Sequence, residues 1–250
     1  MEYSRNYLVH YYEIDSKRRL TLPALIHYFE DIAILNSEQQ GFTLDYYEKN
    51  HCGWMLFKWD VKIHRYPVFN ESIKINTRPT AFKNFFGNRE YDIFSADGQL
   101  IVEAKSLWIL ADTQTRRPLR VPDEMYIGFD TKKEDETKFN KLDELEAISD
   151  GEFRRNISVH ESDIDTNNHV NNVRYVEWVM ESLPREFLSS NYVTGIKVNY
   201  KKELNLGEEA SVISSINSSG DKINSRHSIC FSGKEFCNLE MEWLKEEINE

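Results

Sequence analysis

Arg5-Asn6-Tyr7-Leu8-Val9-His10-Tyr11-Tyr12-Glu13-Ile14-Asp15 returns later in the chain as Arg155-Asn156-Ile157-Ser158-Val159-His160-Glu161-Ser162-Asp163-Ile164-Asp165. Arg, Asn, Val, His, Ile and Asp recur at a constant offset of 150 residues without a gap. Chance rarely keeps such register, and self-similarity at one fixed offset marks a repeated architecture. The chain is therefore read as two copies of one unit.

Each repeat leads into a helical pattern. In the first copy Leu22, Leu25, Ile26, Phe29, Ile32 and Ala33 fall at three- and four-residue steps, with Pro23 suited to a first turn. In the second, Val170, Val173, Val176 and Met180 form a similar stripe, and Pro184 lies just past its expected end. Runs of alternating apolar and aromatic residues follow each helix: Met55 to Ile63, Ser72 to Thr77, Asn88 to Phe94 and Ile101 to Leu110, then Gly195 to Tyr200, Ala210 to Ile216, Ile223 to Phe231 and Glu235 to Leu244. Asp97-Gly98, Ser219-Gly220 and Ser232-Gly233 supply hairpin turns. Strand, long helix and antiparallel meander, twice over, predict an α+β fold in which each sheet wraps its helix. Two such units would form an internal pseudo-dimer, with association into a further homodimer left open. Asp130 to Gly151 is dense in Asp, Glu and Lys, so the expected units are residues 1–129 and 152–250, joined by a charged linker over 130–151.

Composition narrows the function classes. A net charge of −11 argues against general nucleic-acid binding, which needs a basic surface to neutralise phosphates. The longest apolar runs fall far short of the roughly 20 residues of a membrane-spanning helix, so no membrane span is expected. The opening residues carry neither an apolar signal core nor an Arg/Ser-rich presequence, which predicts a cytoplasmic protein. Cys52, Cys230 and Cys237 have no zinc-type spacing and are read as packing residues in a reducing compartment. His10 and His160 recur and are read as structural, while His27, His51, His64 and His227 lack ligand spacing, so no metal is expected.

A duplicated scaffold keeps shared residues for packing, so function is sought where the copies diverge. Asp15-Ser16-Lys17-Arg18-Arg19 in the first copy becomes Asp165-Thr166-Asn167-Asn168-His169, followed by Val170-Asn171-Asn172, in the second. Asp165, Asn167 and His169 alternate, so an extended backbone would turn a carboxylate, an amide and an imidazole to one side. The helix beyond them would offer free N–H groups to an oxyanion. Asp and Asn also gather before helices simply as caps, a role open to Asn171 or Asn172. That role does not require the amide and imidazole missing from the first copy. A looser alignment of Phe69-Asn70-Glu71 with Leu206-Gly207-Glu208 sets Glu203 opposite Tyr66; an exposed strand-end carboxylate paired with a lysine remains the alternative there.

The stretch Ser162-Asp163-Ile164-Asp165-Thr166-Asn167-Asn168-His169-Val170-Asn171-Asn172-Val173-Arg174-Tyr175 resembles the signature of the acyl-acyl carrier protein thioesterases of plant and bacterial fatty-acid pathways. Val61-Lys62-Ile63-His64-Arg65-Tyr66-Pro67 is similar to the family's first-domain strand, and Tyr200-Lys201-Lys202-Glu203 to its late acidic motif. The resemblance implies a tandem (double) hot-dog fold, with the first unit shaping the acyl pocket and the second carrying the chemistry. It implies a catalytic set of Asp165, Asn167, His169 and Glu203, without a metal or organic cofactor. Asp165 would attack the thioester carbonyl or activate water, Asn167 and backbone N–H groups would hold the oxyanion, and His169 and Glu203 would orient water and move protons. Some family members carry Cys directly after the late Glu; Leu204 stands there here, so no thiol nucleophile is available at that site.

The implied substrate is a fatty acyl chain on acyl carrier protein, an acidic partner that calls for a cationic landing site. Candidates are Arg116, Arg117, Arg120, Lys132, Lys133, Arg174, Lys197, Lys201 and Lys202, with those nearest the second motif favoured. The first copy's Trp54, Met55, Phe57, Trp59, Phe82, Phe85 and Phe86 could line an acyl tunnel or simply fill the core. Acyl-coenzyme A hydrolysis, non-catalytic acyl binding and enoyl hydration are the competing readings.

Overall fold

The computed structural model describes residues 2–165, 168–220 and 222–246. They divide into two compact units, Met1–Leu142 and Asp143–Glu250. The division falls inside the charged segment read as a linker, and each unit claims part of it. Asn140 accepts from and donates to Asn88 at 2.8 Å, and the Leu142 carbonyl accepts from Lys58 in the first unit. Leu145 and Ile148 are buried in the second, where the Ile148 N–H donates to Ser228 Oγ at 2.9 Å.

In the first unit β1 (Tyr3–Leu8) precedes α1 (Leu22–Gln39), α2 (Leu44–Lys49) and the strands β2 (Cys52–Ile63), β3 (Ser72–Lys83), β4 (Phe86–Phe94) and β5 (Leu100–Asp112), with a short α3 (Asp123–Gly128) behind them. The antiparallel order is β1-β3-β4-β5-β2. α1 starts where Thr21 accepts a hydrogen bond from the Ala24 N–H, with proline in the first turn, as the sequence predicts. Its buried residues include Leu22, Leu25, Ile26, Phe29, Ile32 and Ala33, the predicted stripe. Phe29 sits 5.6 Å from Trp59 and 4.9 Å from Tyr91, ring centre to ring centre, so the helix is held by aromatic packing against β2 and β4.

The second unit repeats the plan with β6 (Phe153–Ser158), α4 (Asn172–Ser182), α5 (Arg185–Ser190), β7 (Asn191–Tyr200), β8 (Glu209–Ser219), β9 (Lys222–Phe231) and β10 (Lys234–Lys245). Its order, β6-β8-β9-β10-β7, is the same permutation. Register repeats as well: Leu8 faces Ser72 and Tyr3 faces Thr77, as Ser158 faces Glu209 and Phe153 faces Ser214. α4 starts later than its stripe suggests. Asn171 caps it by accepting from the Val173 N–H at 2.9 Å, Val170 lies before the cap in a bridge to Ile164, and Met180 is only half-buried. Tyr175, Trp178 and Val179 carry the buried face together with Val173 and Val176. No helix among the described residues is long and apolar enough to cross a membrane.

Candidate active site

The loop before each central helix is built the same way. Asp15 N–H donates to Arg19 O at 2.8 Å, and Asp165 N–H to His169 O at 2.8 Å; Arg18 N–H and Asn168 N–H reach back to the carbonyls of Asp15 and Asp165 at 3.0 and 3.1 Å. Arg18 and Asn168 both take φ of 63°, a left-handed conformation that Asn tolerates better than Arg. The segment is therefore a closed turn and not an extended strand. The extended backbone expected to turn Asp165 and His169 to one side is interrupted by the left-handed Asn168. Asn167 lies outside the described residues.

The turn brings Asp165 and His169 together by another route. Asp165 Oδ1 accepts from the His169 N–H at 3.4 Å, so one residue's carboxylate rests over the other's backbone. The first copy's Asp15 accepts from the N–H groups of Lys17 and Arg19 at 2.8 and 2.9 Å and pairs with the Arg19 guanidinium at 3.2 Å.

Glu203 comes from the far side. Matched backbone bonds fix its alignment with Tyr66: Leu20 N–H to Pro67 O and Val170 N–H to Leu204 O, Val9 N–H to Glu71 O and Val159 N–H to Glu208 O, all between 2.8 and 3.0 Å. Asn70 at φ 64° and Gly207 at φ 79° turn the chain alike. In the second unit this places the Glu203 carboxylate 3.5 Å from His169 Nε2, with the imidazole side chain 23% and the carboxylate 41% exposed. In the first, Arg19 lies over the Tyr66 ring at 5.7 Å. One scaffold thus presents an acid–imidazole pair in one copy and a cation–aromatic contact in the other.

Two expected contributors have other work. The N–H groups of Val173 and Arg174, at the start of α4, go to the Asn171 side chain and carbonyl. Asn171 is the helix cap. Among the favoured cations, Arg174 pairs with the buried Asp163 at 2.7 Å and with Glu177, Lys201 pairs with Glu235 at 2.8 Å, and Lys197 pairs with Asp143. A groove of about 400 Å³ in the first unit, lined by Asp60, Lys62, Arg78, Glu90, Asp92 and Glu103, contains none of the candidate site residues. Arg78 there is held by Glu90 and Asp92 at 2.7 Å.

Each unit is an antiparallel sheet with a central helix, and the chain as a whole carries the hot-dog fold twice. Residues 1–129 match the acyl-ACP thioesterase N-terminal domain and residues 146–245 the acyl-ACP thioesterase C-terminal domain. The chain belongs to the acyl-ACP thioesterase family. It is 26% identical over 217 residues to the palmitoyl-acyl carrier protein thioesterase of Cuphea hookeriana, a match covering 80% of this chain and 51% of that protein. The chain spans about half the length of the curated relatives it matches. In structure it is similar to a Lactobacillus plantarum protein assigned as an oleoyl thioesterase, with TM-score 0.87, 24% identity and coverage of 99% and 97% of the two chains. It is also similar to the 12:0-ACP thioesterase of Umbellularia californica, with TM-score 0.84, 22% identity and coverage of 98% and 94%.

Proposed function

We propose that this chain hydrolyses fatty acyl-acyl carrier protein to a free fatty acid and holo-acyl carrier protein, with the second unit carrying the chemistry and the first shaping the acyl pocket. The observation that carries the reading is the pairing of His169 Nε2 with Glu203 at 3.5 Å beside the Asp165 carboxylate, where the first unit holds Arg19, Tyr66 and Asp15 instead. Asp165 either draws a proton from the water that attacks the thioester carbonyl, or attacks that carbonyl itself to give an acyl anhydride that water then hydrolyses to the fatty acid and the free aspartate; Glu203 orients the imidazole that gives a proton to the departing thiolate. Asn167 completes the set as an oxyanion donor, a role taken from the family motif. Free cysteines at Cys52, Cys230 and Cys237 suit a reducing cytoplasm, where we place the reaction.

The test follows thiol release from matched thioesters of acyl carrier protein and coenzyme A with a thiol reagent, over a range of acyl lengths. Faster release from the carrier-protein thioester is expected. Preference for the coenzyme A thioester would move the assignment to that substrate, and acyl binding without thiol release would make this a binding protein.

A further inference from the structure

Behind the acid–imidazole pair lies a tyrosine that neither the site nor the core explains alone. Tyr175 of α4 is 2% exposed, and its phenol oxygen accepts the N–H of Leu204, the residue next to Glu203, at 3.0 Å. The carbonyl of Leu204 is held at 3.0 Å by the N–H of Val170, the residue next to His169. A second tyrosine braces the first: Tyr200 meets Tyr175 edge-on at 5.7 Å, and its hydroxyl donates to the Asn172 carbonyl at 3.0 Å. Leu204, the residue that follows Glu203, is thus held at both its N–H and its carbonyl, by the central helix and by the turn.

The duplicated unit supplies the control. The position matching Tyr175 is Leu25, which has no hydroxyl, and the position matching Leu204 is Pro67, which has no N–H. Tyr200 is matched by Ile63. The bond between the turn and the late loop survives in the first unit as Leu20 N–H to Pro67 O at 2.8 Å, so the fold does not need the tyrosine. Donor and acceptor vanish together in the copy that has Arg19 and Tyr66 in place of His169 and Glu203.

We infer that Tyr175 is a positioning residue, whose phenol oxygen holds the Leu204 N–H so that the Glu203 carboxylate stays in register with His169; this rests on the proposed thioesterase reading. Burial pushes the phenol well above its ordinary range, with the Asp165 carboxylate among the charges that add to the effect, so it stays protonated. A buried hydroxyl that already accepts a backbone N–H also resists rotation of its ring.

Tyr175→Phe keeps the ring and deletes the oxygen. Displacing a proton-transfer pair by a fraction of an ångström to an ångström costs about 10- to 100-fold in kcat, with KM within about twofold. The double variant Tyr175→Phe/Glu203→Gln is expected to be no slower than Glu203→Gln alone, because both changes act through one carboxylate. A fully additive double variant, or an unchanged kcat in Tyr175→Phe, would overturn the inference. The imidazole NMR signal of His169 is read in the same samples and needs no turnover. It is expected to move in the same direction in Tyr175→Phe as in Glu203→Gln, and an unmoved signal sinks the positioning role even if the protein acts on another substrate. Thiol release absent from the wild type would instead refute the thioesterase reading. If Tyr175→Phe does not fold, Tyr175→Phe/Leu204→Pro removes donor and acceptor together, as the first unit does, and the same signal is read there.

Discussion

The turn from Asp15 to Arg19 and the turn from Asp165 to His169 have the same hydrogen bonds, the same left-handed residue and the same bridge behind them, yet they present different chemistry. In the first, Asp15 is consumed by the turn itself and by Arg19, and Tyr66 takes the guanidinium on its ring face. In the second, the His169 N–H reaches the Asp165 carboxylate at 3.4 Å and the imidazole faces Glu203. The comparison teaches that one turn can serve as a structural clasp or as a reactive corner, depending on the residue at its end. A guanidinium there pairs with the turn's own aspartate through a charge-assisted bond, whereas an imidazole there pairs with a second carboxylate.

The largest expected break between the two turns is in turnover. Asp165→Asn keeps an acceptor oxygen for the backbone and removes the charge, so thiol release is expected to fall about 10²- to 10⁴-fold while the melting temperature hardly moves. Next comes a difference in acid sensitivity at matched core positions, Tyr91 in the first unit and His227 in the second. His227 is 1% exposed, bonds Ser214 at 2.8 Å and Ser225 at 2.7 Å, and burial pushes its imidazole from 6.5 down to about 3. The unfolded chain takes up a proton near 6.5 and the folded chain only near 3, so the stabilisation is complete above 6.5 and is lost as pH falls through that window. Urea unfolding at pH 7 and pH 4.5 should show a loss of about 2–3 kcal/mol in wild type from this group. His227→Gln should flatten that part of the slope.

A smaller effect is expected from the clasp. Asp15→Ala removes an acceptor from two backbone N–H groups and a partner from Arg19, and should cost about 1–2 kcal/mol in chemical denaturation with no change in kcat. The smallest belongs to Arg19→Ala. Its ion pair with Asp15 is partly exposed, so the loss is about 0.5 kcal/mol, within reach of a careful urea titration.

Much of this was legible in the sequence because the repeat runs deeper than shared letters. The repeat placed both central helices, one of the two residues offered as a cap for the second, Asn171, is its cap, and each strand run overlaps an observed strand. The alignment of Glu203 with Tyr66 rested on few residues, yet its backbone bonds match one for one. Other features needed coordinates. Alternating positions in Asp165-Thr166-Asn167-Asn168-His169 point one way only if the backbone is extended, and Asn168 at φ 63° breaks that condition. The aliphatic stripe of α4 passed over Tyr175 and Trp178, because large aromatics reach the core from positions beside the stripe. Charge density over 130–151 hid Leu145 and Ile148, two buried residues in a polar setting. The signal for Tyr175 was present all along, in a hydroxyl and an N–H that one copy has and the other lacks.

The measurement that bears most directly on the account is the rate of thiol release from a fatty acyl-acyl carrier protein by wild type, His169→Ala and Arg19→Ala, assayed side by side. The account predicts that Arg19→Ala matches wild type while His169→Ala falls at least about 100-fold. Equal rates in all three proteins would contradict it.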